Sequence, residues 1–212
     1  MTEKPARKPL FGGRLEFVLS DVWGISADDL APGSVEDLPD TMSIHEVTSQ
    51  ADPLLSLLPE RRRVFAERTL RAGDRCYMLV ENEAAIAWWW VSDRSHTDHV
   101  AGMRVNLRPR EAYLYDIWTV EEHRGTHAGL QLVTEVFARL MATGNYDAFI
   151  TYIDNDNKPS QNFAKRFGFQ PTQQFRSLRR DQRGWQIPRS DNPRGGPASR
   201  TRRGPLIPES DR

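Results

Sequence analysis

The sequence predicts an α/β fold of the α+β kind, a mixed central β-sheet flanked by helices, and three observations carry that prediction. Runs rich in β-branched and aromatic residues (CYMLVEN, AIAWWWVS, AYLYDIWTV) have strand character. Leu130, Val133, Phe137, Leu140 and Met141 keep a helical spacing between two such strands, and a strand, helix, strand, helix order implies a crossover unit on a mixed sheet. A chain of 212 residues, 38% hydrophobic and 27% charged, has enough apolar residues for one well-buried core and is short for two.

Taken in order, residues 14–19 and 43–47 read as short strands separated by a polar, proline-containing loop. Leu54, Leu57, Leu58, Val64, Phe65 and Leu70 predict one or two amphipathic helices over 53–72, with Gly73 ending the second. CYMLVEN and AIAWWWVS form a hairpin turning at Asn82 and Glu83. Trp88, Trp89 and Trp90 must alternate between the faces of their strand, so at least one is expected off the main core. It serves there either as a wall of an acceptor site or in packing against a helix. After a polar loop over 93–102, a second hairpin is expected within 105–120, ending in the strand 112–120. The helix that follows stops at Gly144 and leads to a strand over 146–153. The polar run DNDNKPS introduces a helix over 160–167 closed by Gly168, and strands near 173–178 and 184–187 complete the core.

The domain is therefore expected to span 14–187, between a flexible stretch 1–13 and a disordered tail 188–212. That tail, rich in proline, glycine and arginine, has no hydrophobic period to build a core. Lysine plus arginine (29) balances aspartate plus glutamate (29), which removes the basic excess typical of nucleic-acid binding. No apolar run approaches the roughly 20 residues of a membrane span, and the first residues lack a signal-peptide core. The single cysteine, Cys76, cannot form an internal disulfide and lies in a strand-like run, which predicts a buried structural thiol and a cytoplasmic protein. The five histidines and one cysteine show no metal-ligand spacing. Nothing in the sequence encodes an oligomeric state.

The segment VEEHRGTHAG, residues 120–129, joins a predicted strand to a predicted helix. A helix start has backbone N–H groups without intrahelical partners and a partial positive charge, so it can hold a pyrophosphate. Gly125 and Gly129 let the backbone approach closely, and Arg124 can add a charge-assisted hydrogen bond.

These residues resemble the coenzyme A signature of the GNAT N-acetyltransferase superfamily: Arg or Gln, two free positions, Gly, one free position, then Gly or Ala. Arg124 and Gly129 match its ends, and His127 stands where the pattern has Gly. The segment 157–169, NKPSQNFAKRFGF, resembles the family's second hallmark, in which Asn is followed by a small residue and by a helix ending in Gly-Phe. The resemblance covers about 71–169 and implies the GNAT acyl-CoA N-acyltransferase fold. In that fold the strand 112–120 splays from the strand 146–153, and the pantetheine arm lies in the wedge.

The resemblance further implies transfer of an acetyl or related acyl group from acetyl-CoA or another acyl-CoA to an amine-bearing small molecule, peptide or protein. No metal is involved. By analogy Val120 donates its amide to the acyl carbonyl, Arg124, Gly125, Thr126, His127, Ala128 and Gly129 cradle the pyrophosphate, and Asn157 contacts the arm. Asp116, a charged residue amid Tyr113, Leu114, Tyr115, Ile117 and Trp118, is either the base that takes the amine proton or a buried hydrogen-bonding aspartate. His127 either reaches the thioester side or caps the phosphate site. Where many members carry a tyrosine that protonates the leaving thiolate, this chain has Ala164, which leaves Tyr152 or Tyr115 as substitutes or catalysis impaired. Two alternatives stand beside this expectation: an acyl carrier protein as donor, and a non-catalytic coenzyme A-binding module.

Overall fold

The computed structural model describes residues 15–30, 38–98, 103–180 and 183–187. The expected loose ends, 1–13 and 188–212, lie outside the described residues.

One sheet takes in β1 (Leu15–Ser26), β2 (Met42–Val47), β3 (Arg75–Glu81), β4 (Ala84–Ser92), β7 (Glu111–Thr119), β8 (Ala148–Asp154), β9 (Gln170–Arg180) and β10 (Arg183–Ile187). Their spatial order is β10-β9-β1-β8-β7-β4-β3-β2. Only β7 and β8 are parallel among these described neighbours. The connection between them is α2 (Ala128–Ala142), which is the predicted crossover unit. The remaining helices are α1 (Glu60–Arg71) and α3 (Lys158–Arg166). A separate small ribbon pairs β5 (His96–Asp98) with β6 (Met103–Val105).

Each face of the sheet has its own core. Leu132, Val133 and Phe137 of α2 pack with Trp89, Phe149, Phe167 and Phe169 on one side. Leu55, Leu58, Ala66 and Leu70 pack with Trp88, Trp90, Tyr113 and Tyr115 on the other. The tryptophan triplet alternates as its strand requires, Trp89 standing edge-on to Phe137 at 5.2 Å and Trp90 to Phe65 at 5.7 Å. Because both faces are covered, all three are buried, at 1, 6 and 1% exposure. Trp88 and Trp90 thus lie off the α2-side core, in the second cluster, where Trp90 packs against α1, the helix-packing alternative of the two expected.

Two further boundaries differ from expectation. β1 does not stop at residue 19 but runs to Ser26, since it lies between β8 and β9 with backbone partners on both edges. Its loop-like polar residues are satisfied inside the sheet: Ser20 donates to Asp154, and Gln174 donates to Asp21 at 3.1 Å. The hairpin expected within 105–120 does not form. β7 pairs with β4 along one edge and with β8 over the first three residues of the other, β6 pairs with β5 instead, and the chain turns through Pro109 and a left-handed Arg110 (φ 65°). The turn at Asn82 and Glu83 is as predicted, both residues having positive φ (47° and 63°), the signature of a tight hairpin turn. No helix among the described residues is long and apolar enough to cross a membrane.

Candidate functional site

β7 and β8 are hydrogen-bonded neighbours only at Glu111↔Ala148, Ala112↔Phe149 and Tyr113↔Ile150. Beyond that point each keeps its other partner, β7 pairing with β4 through Thr119 and β8 with β1 through Asp154. A wedge therefore opens between their facing edges. A bulge in β7 accompanies it: Trp90↔Tyr115 and Trp88↔Trp118 leave one extra residue on β7, with Asp116 in the left-handed region (φ 46°). Such a bulge bends its strand and re-aims the side chains around it.

Backbone alternation decides which amides face the wedge. The Val120 N–H donates to the Ile86 carbonyl at 2.9 Å, so it faces β4. The acyl-binding role expected of Val120 is corrected on that ground, because its donor is already used. One residue earlier, the N–H and carbonyl of Thr119 point to the opposite edge, toward the wedge, where β8 has already diverged. Sequence reasoning missed this by one residue, and a one-residue shift reverses the edge that an amide faces.

The chain then makes a short 3-10 turn, Glu121–His123, and α2 opens at Ala128, four residues later than the expected start near Arg124. Between them, Gly125 adopts φ 78° with nothing within 4 Å of where a Cβ would lie. Thr126 braces the turn, its hydroxyl donating to the His123 carbonyl (2.7 Å) and accepting from the Ala128 N–H (3.2 Å). His127 is the N-cap residue, exposed, with no side-chain capping bond. The N–H groups of Gly129 and Leu130 open the helix and have no carbonyl of their own helix to bond. The first turn of α2 carries no acidic residue, so nothing there opposes an anion. A Cβ on Gly129 would lie 2.9 Å from the Thr119 hydroxyl, so its absence lets the helix start sit directly against the end of the wedge strand. The Arg124 guanidinium lies 4.9 Å from the Trp118 ring centre, and its Nε donates to the Thr119 carbonyl at 3.2 Å.

On the α1 face, Arg62 Nη1 reaches both carboxylate oxygens of Asp116, at 2.9 and 3.0 Å. The same guanidinium stands 4.9 Å from the Trp118 ring centre, and Trp118 stacks on Trp88 at 6.3 Å. Of the two roles open to Asp116, the structure supplies the hydrogen-bonding one, since taking a proton there would break the pair with Arg62. Arg62 carried no signal in the sequence: it is one of three consecutive arginines on an amphipathic helix, 54 residues from its partner.

The remaining candidates separate by their partners. Tyr152 lies on β8 past its last pair with β7, half-buried, its ring edge-on to Tyr113 at 5.5 Å. The Tyr115 hydroxyl donates to buried Asp74 (2.7 Å), which also pairs with Arg94 (3.1 Å), so it is committed to structure. Asn157 caps α3, its Oδ1 accepting from the Ser160 N–H at 3.2 Å. Ala164 is buried in the α2-side core. His123 Nε2 lies 3.6 Å from Glu81, at the end of β3 and away from the wedge. Cys76 is fully buried, and burial pushes its thiol well above the usual range, as suits an inert core residue. Among the described residues no cluster of His, Cys, Asp or Glu could hold a metal ion.

Comparison with known proteins places this geometry. The model of the acetyltransferase (GNAT) family matches residues 42–169. No curated protein matches the chain significantly. Among solved structures, it is similar to a tandem GNAT protein from the clavulanic acid biosynthesis pathway, with 19% identity and TM-score 0.57, over 90% of this chain and 62% of that one. It is also similar to a Drosophila protein (15%, TM-score 0.54, 78% of this chain and 51% of that one). A GCN5-related N-acetyltransferase-like protein from Streptococcus suis gives 12%, TM-score 0.52, over 78% of this chain and 62% of that one. The chain thus spans half to three-fifths of the length of these structures, and at such identities the likeness is one of fold.

Proposed function

The chain belongs to the GNAT acetyltransferase family, and from that premise we propose that it transfers an acetyl or related acyl group from acyl-coenzyme A to a primary amine. The acceptor is a small molecule, peptide or protein. The observation that carries the reading is the wedge between β7 and β8 running directly into the open N-terminus of α2. An extended arm bearing amides can pair with the free edge of β7, while a pyrophosphate at its end meets the N–H groups of the turn. The backbone from Arg124 to Gly129 serves the phosphates, and the N–H groups of Thr119 and, two residues back on the same edge, Ile117 serve carbonyl oxygens of the donor.

In this reading the neutral amine attacks the thioester carbon, and negative charge develops on the carbonyl oxygen. A backbone N–H on the wedge edge of β7 stabilises that oxyanion without reorganising. The carbon–sulfur bond then breaks, the amide forms, and coenzyme A leaves as a thiolate. The amine gives up its proton to water, since Asp116 is held by Arg62. Tyr152, on the wedge strand, is the hydroxyl we assign to the departing sulfur. The reduced state that suits a lone buried Cys76 fits a cytoplasmic enzyme.

A second reading has one observation in its favour. Ala164 offers no acid to the thiolate and Tyr115 is committed to Asp74, which would suit a module that binds coenzyme A without turnover.

Calorimetric titration of acetyl-coenzyme A into the wild type and into His127→Glu tests the proposal, followed by thiol release with a panel of amines. His127 is exposed and makes no capping bond, so the new carboxylate should leave the fold intact while repelling the phosphates. Wild-type binding weakened at least tenfold in the variant, with amine-dependent thiol release, is expected. Binding without release would favour the module, and no binding with release from a carrier-protein donor would make the carrier the substrate.

A further inference from the structure

Arg62 reaches the bulge of β7 from α1, its Nη1 donating to both Asp116 oxygens at 2.9 and 3.0 Å. The guanidinium is also held over two rings, 4.9 Å from the centre of Trp118 and 5.9 Å from that of Trp88. Its hydrogen bonds use Nη1 alone. Among the described residues Nε and Nη2 have no hydrogen-bond partner. Neither is closed to solvent, since the side-chain atoms there that are both closed off and unpartnered are Trp23 Nε1 and Asn155 Oδ1. A guanidinium pinned in place with its Nε–Nη2 edge open offers two parallel donors, the fork that matches one carboxylate.

The wedge shows what that edge meets. Its closed end is Tyr113↔Ile150, and the turn assigned to the phosphates follows Thr119 at its open end. A donor arm entering at the turn therefore carries its thioester, the end farthest from the phosphates, inward along β7 toward the bulge. On the α2 face this stretch is covered, Ile117 packing against the core there. On the α1 face Asp116, Trp118 and Tyr152 are half-exposed, so an amine reaches the thioester from the side on which Arg62 stands. Charge on that side favours an anion. Arg124 lies as close to the Trp118 ring as Arg62 does, at 4.9 Å, which sets two guanidiniums against the Asp116 carboxylate.

We propose that the acceptor is an amino acid, a molecule with a carboxylate close to its amine, and that the Nε–Nη2 edge of Arg62 holds this carboxylate through two hydrogen bonds. Asp116 and the Trp118 ring are then positioning groups. They fix the guanidinium before the acceptor arrives, so little side-chain freedom is lost on binding. The inference deepens the acyl-coenzyme A reading above and rests on it.

The test is thiol release from acetyl-coenzyme A by wild type and Arg62→Lys, with free amino acids and with the amine each leaves on decarboxylation, such as phenylalanine beside phenethylamine and lysine beside cadaverine. The variant keeps a positive charge beside Asp116 but lacks the planar fork. Wild type should use at least one amino acid with kcat/KM about tenfold or more above its decarboxylated partner, and the variant should cut that ratio to about twofold or less. A purely structural role for Arg62 would lower both members of a pair together and keep the ratio, which overturns the inference. Wild-type ratios near one, or release with the decarboxylated amines only, overturn it and leave the functional reading standing, and this comparison needs no variant to fold. Release with neither set from a protein that binds coenzyme A overturns it too. A wild type that neither binds coenzyme A nor releases thiol removes the functional reading and this inference together.

Discussion

The wedge edge of β7 and its α1 face are one strand built in two ways. Along the wedge the working groups are backbone: the Thr119 N–H, the turn from Arg124 to Gly129 and the open end of α2. On the α1 face they are side chains joined across long sequence separations: Arg62 to Asp116, Trp88 to Trp118, and Tyr115 to Asp74. The difference teaches where substitution is tolerated. A backbone site needs conformation and space, so His127 can stand where the family pattern has Gly. A side-chain site needs both members of each pair.

The largest expected effect breaks the two apart. Arg62→Ala takes the guanidinium from Asp116 and from the Trp118 ring while leaving every wedge amide in place. Breaking a fully buried ion pair costs about 3–5 kcal/mol. With side chains 23% and 19% exposed, this pair should cost roughly 1–3 kcal/mol, read as a drop of several degrees in melting temperature. Coenzyme A affinity should stay within about twofold of wild type. A parallel fall in affinity would show that the two sides of β7 are not separable.

A smaller effect on the other side sharpens the contrast. Gly125→Ala meets no atom within 4 Å, so whatever it changes comes from the backbone at φ 78° rather than from a lost or clashing contact. The left-handed conformation costs an alanine about 1–2 kcal/mol. Relief of that strain should turn the N–H groups of the turn, so donor binding is expected to weaken several-fold alongside a modest loss of stability. A variant with unchanged stability and unchanged binding would mean that the turn is not held in this conformation by the fold.

The same division explains what was legible in the sequence. Strand, turn and helix follow from local signals: the apolar period of α2, the glycines that end helices, and the 120–129 segment between strand and helix. These predicted the parallel β7–β8 unit and its turn. Val120 was placed on the wrong edge because the alternation depends on the bulge at Asp116, and a left-handed aspartate in a strand leaves no mark in the sequence. Arg62 was invisible for a different reason: it acts through a partner 54 residues away. The polar residues of β1 imitated a loop because their partners, Asp154 and Gln174, come from the far end of the chain.

The smallest expected effect sets two carboxylates side by side. Asp116 is held by a guanidinium, whereas Asp21, half-buried in β1, has an amide, Gln174, at 3.1 Å. Burial pushes the Asp21 carboxyl above its usual range, and the Gln174 hydrogen bond and the charge of Lys158 offset this only in part. The native state therefore binds that proton more tightly than the unfolded chain does. The stability contributed is complete below the ordinary carboxylate range and is lost as pH rises through the raised native value, so the charged form is a liability at neutral pH. An asparagine in its place would keep an oxygen for Gln174 and carry no charge. Asp21→Asn is expected to raise the melting temperature by a few degrees at most at pH 7, with the gain shrinking as the pH is lowered toward the carboxylate range. A loss of stability at pH 7 would mean that Asp21 is supported as firmly as Asp116, and that an amide in this sheet can do the work of an arginine.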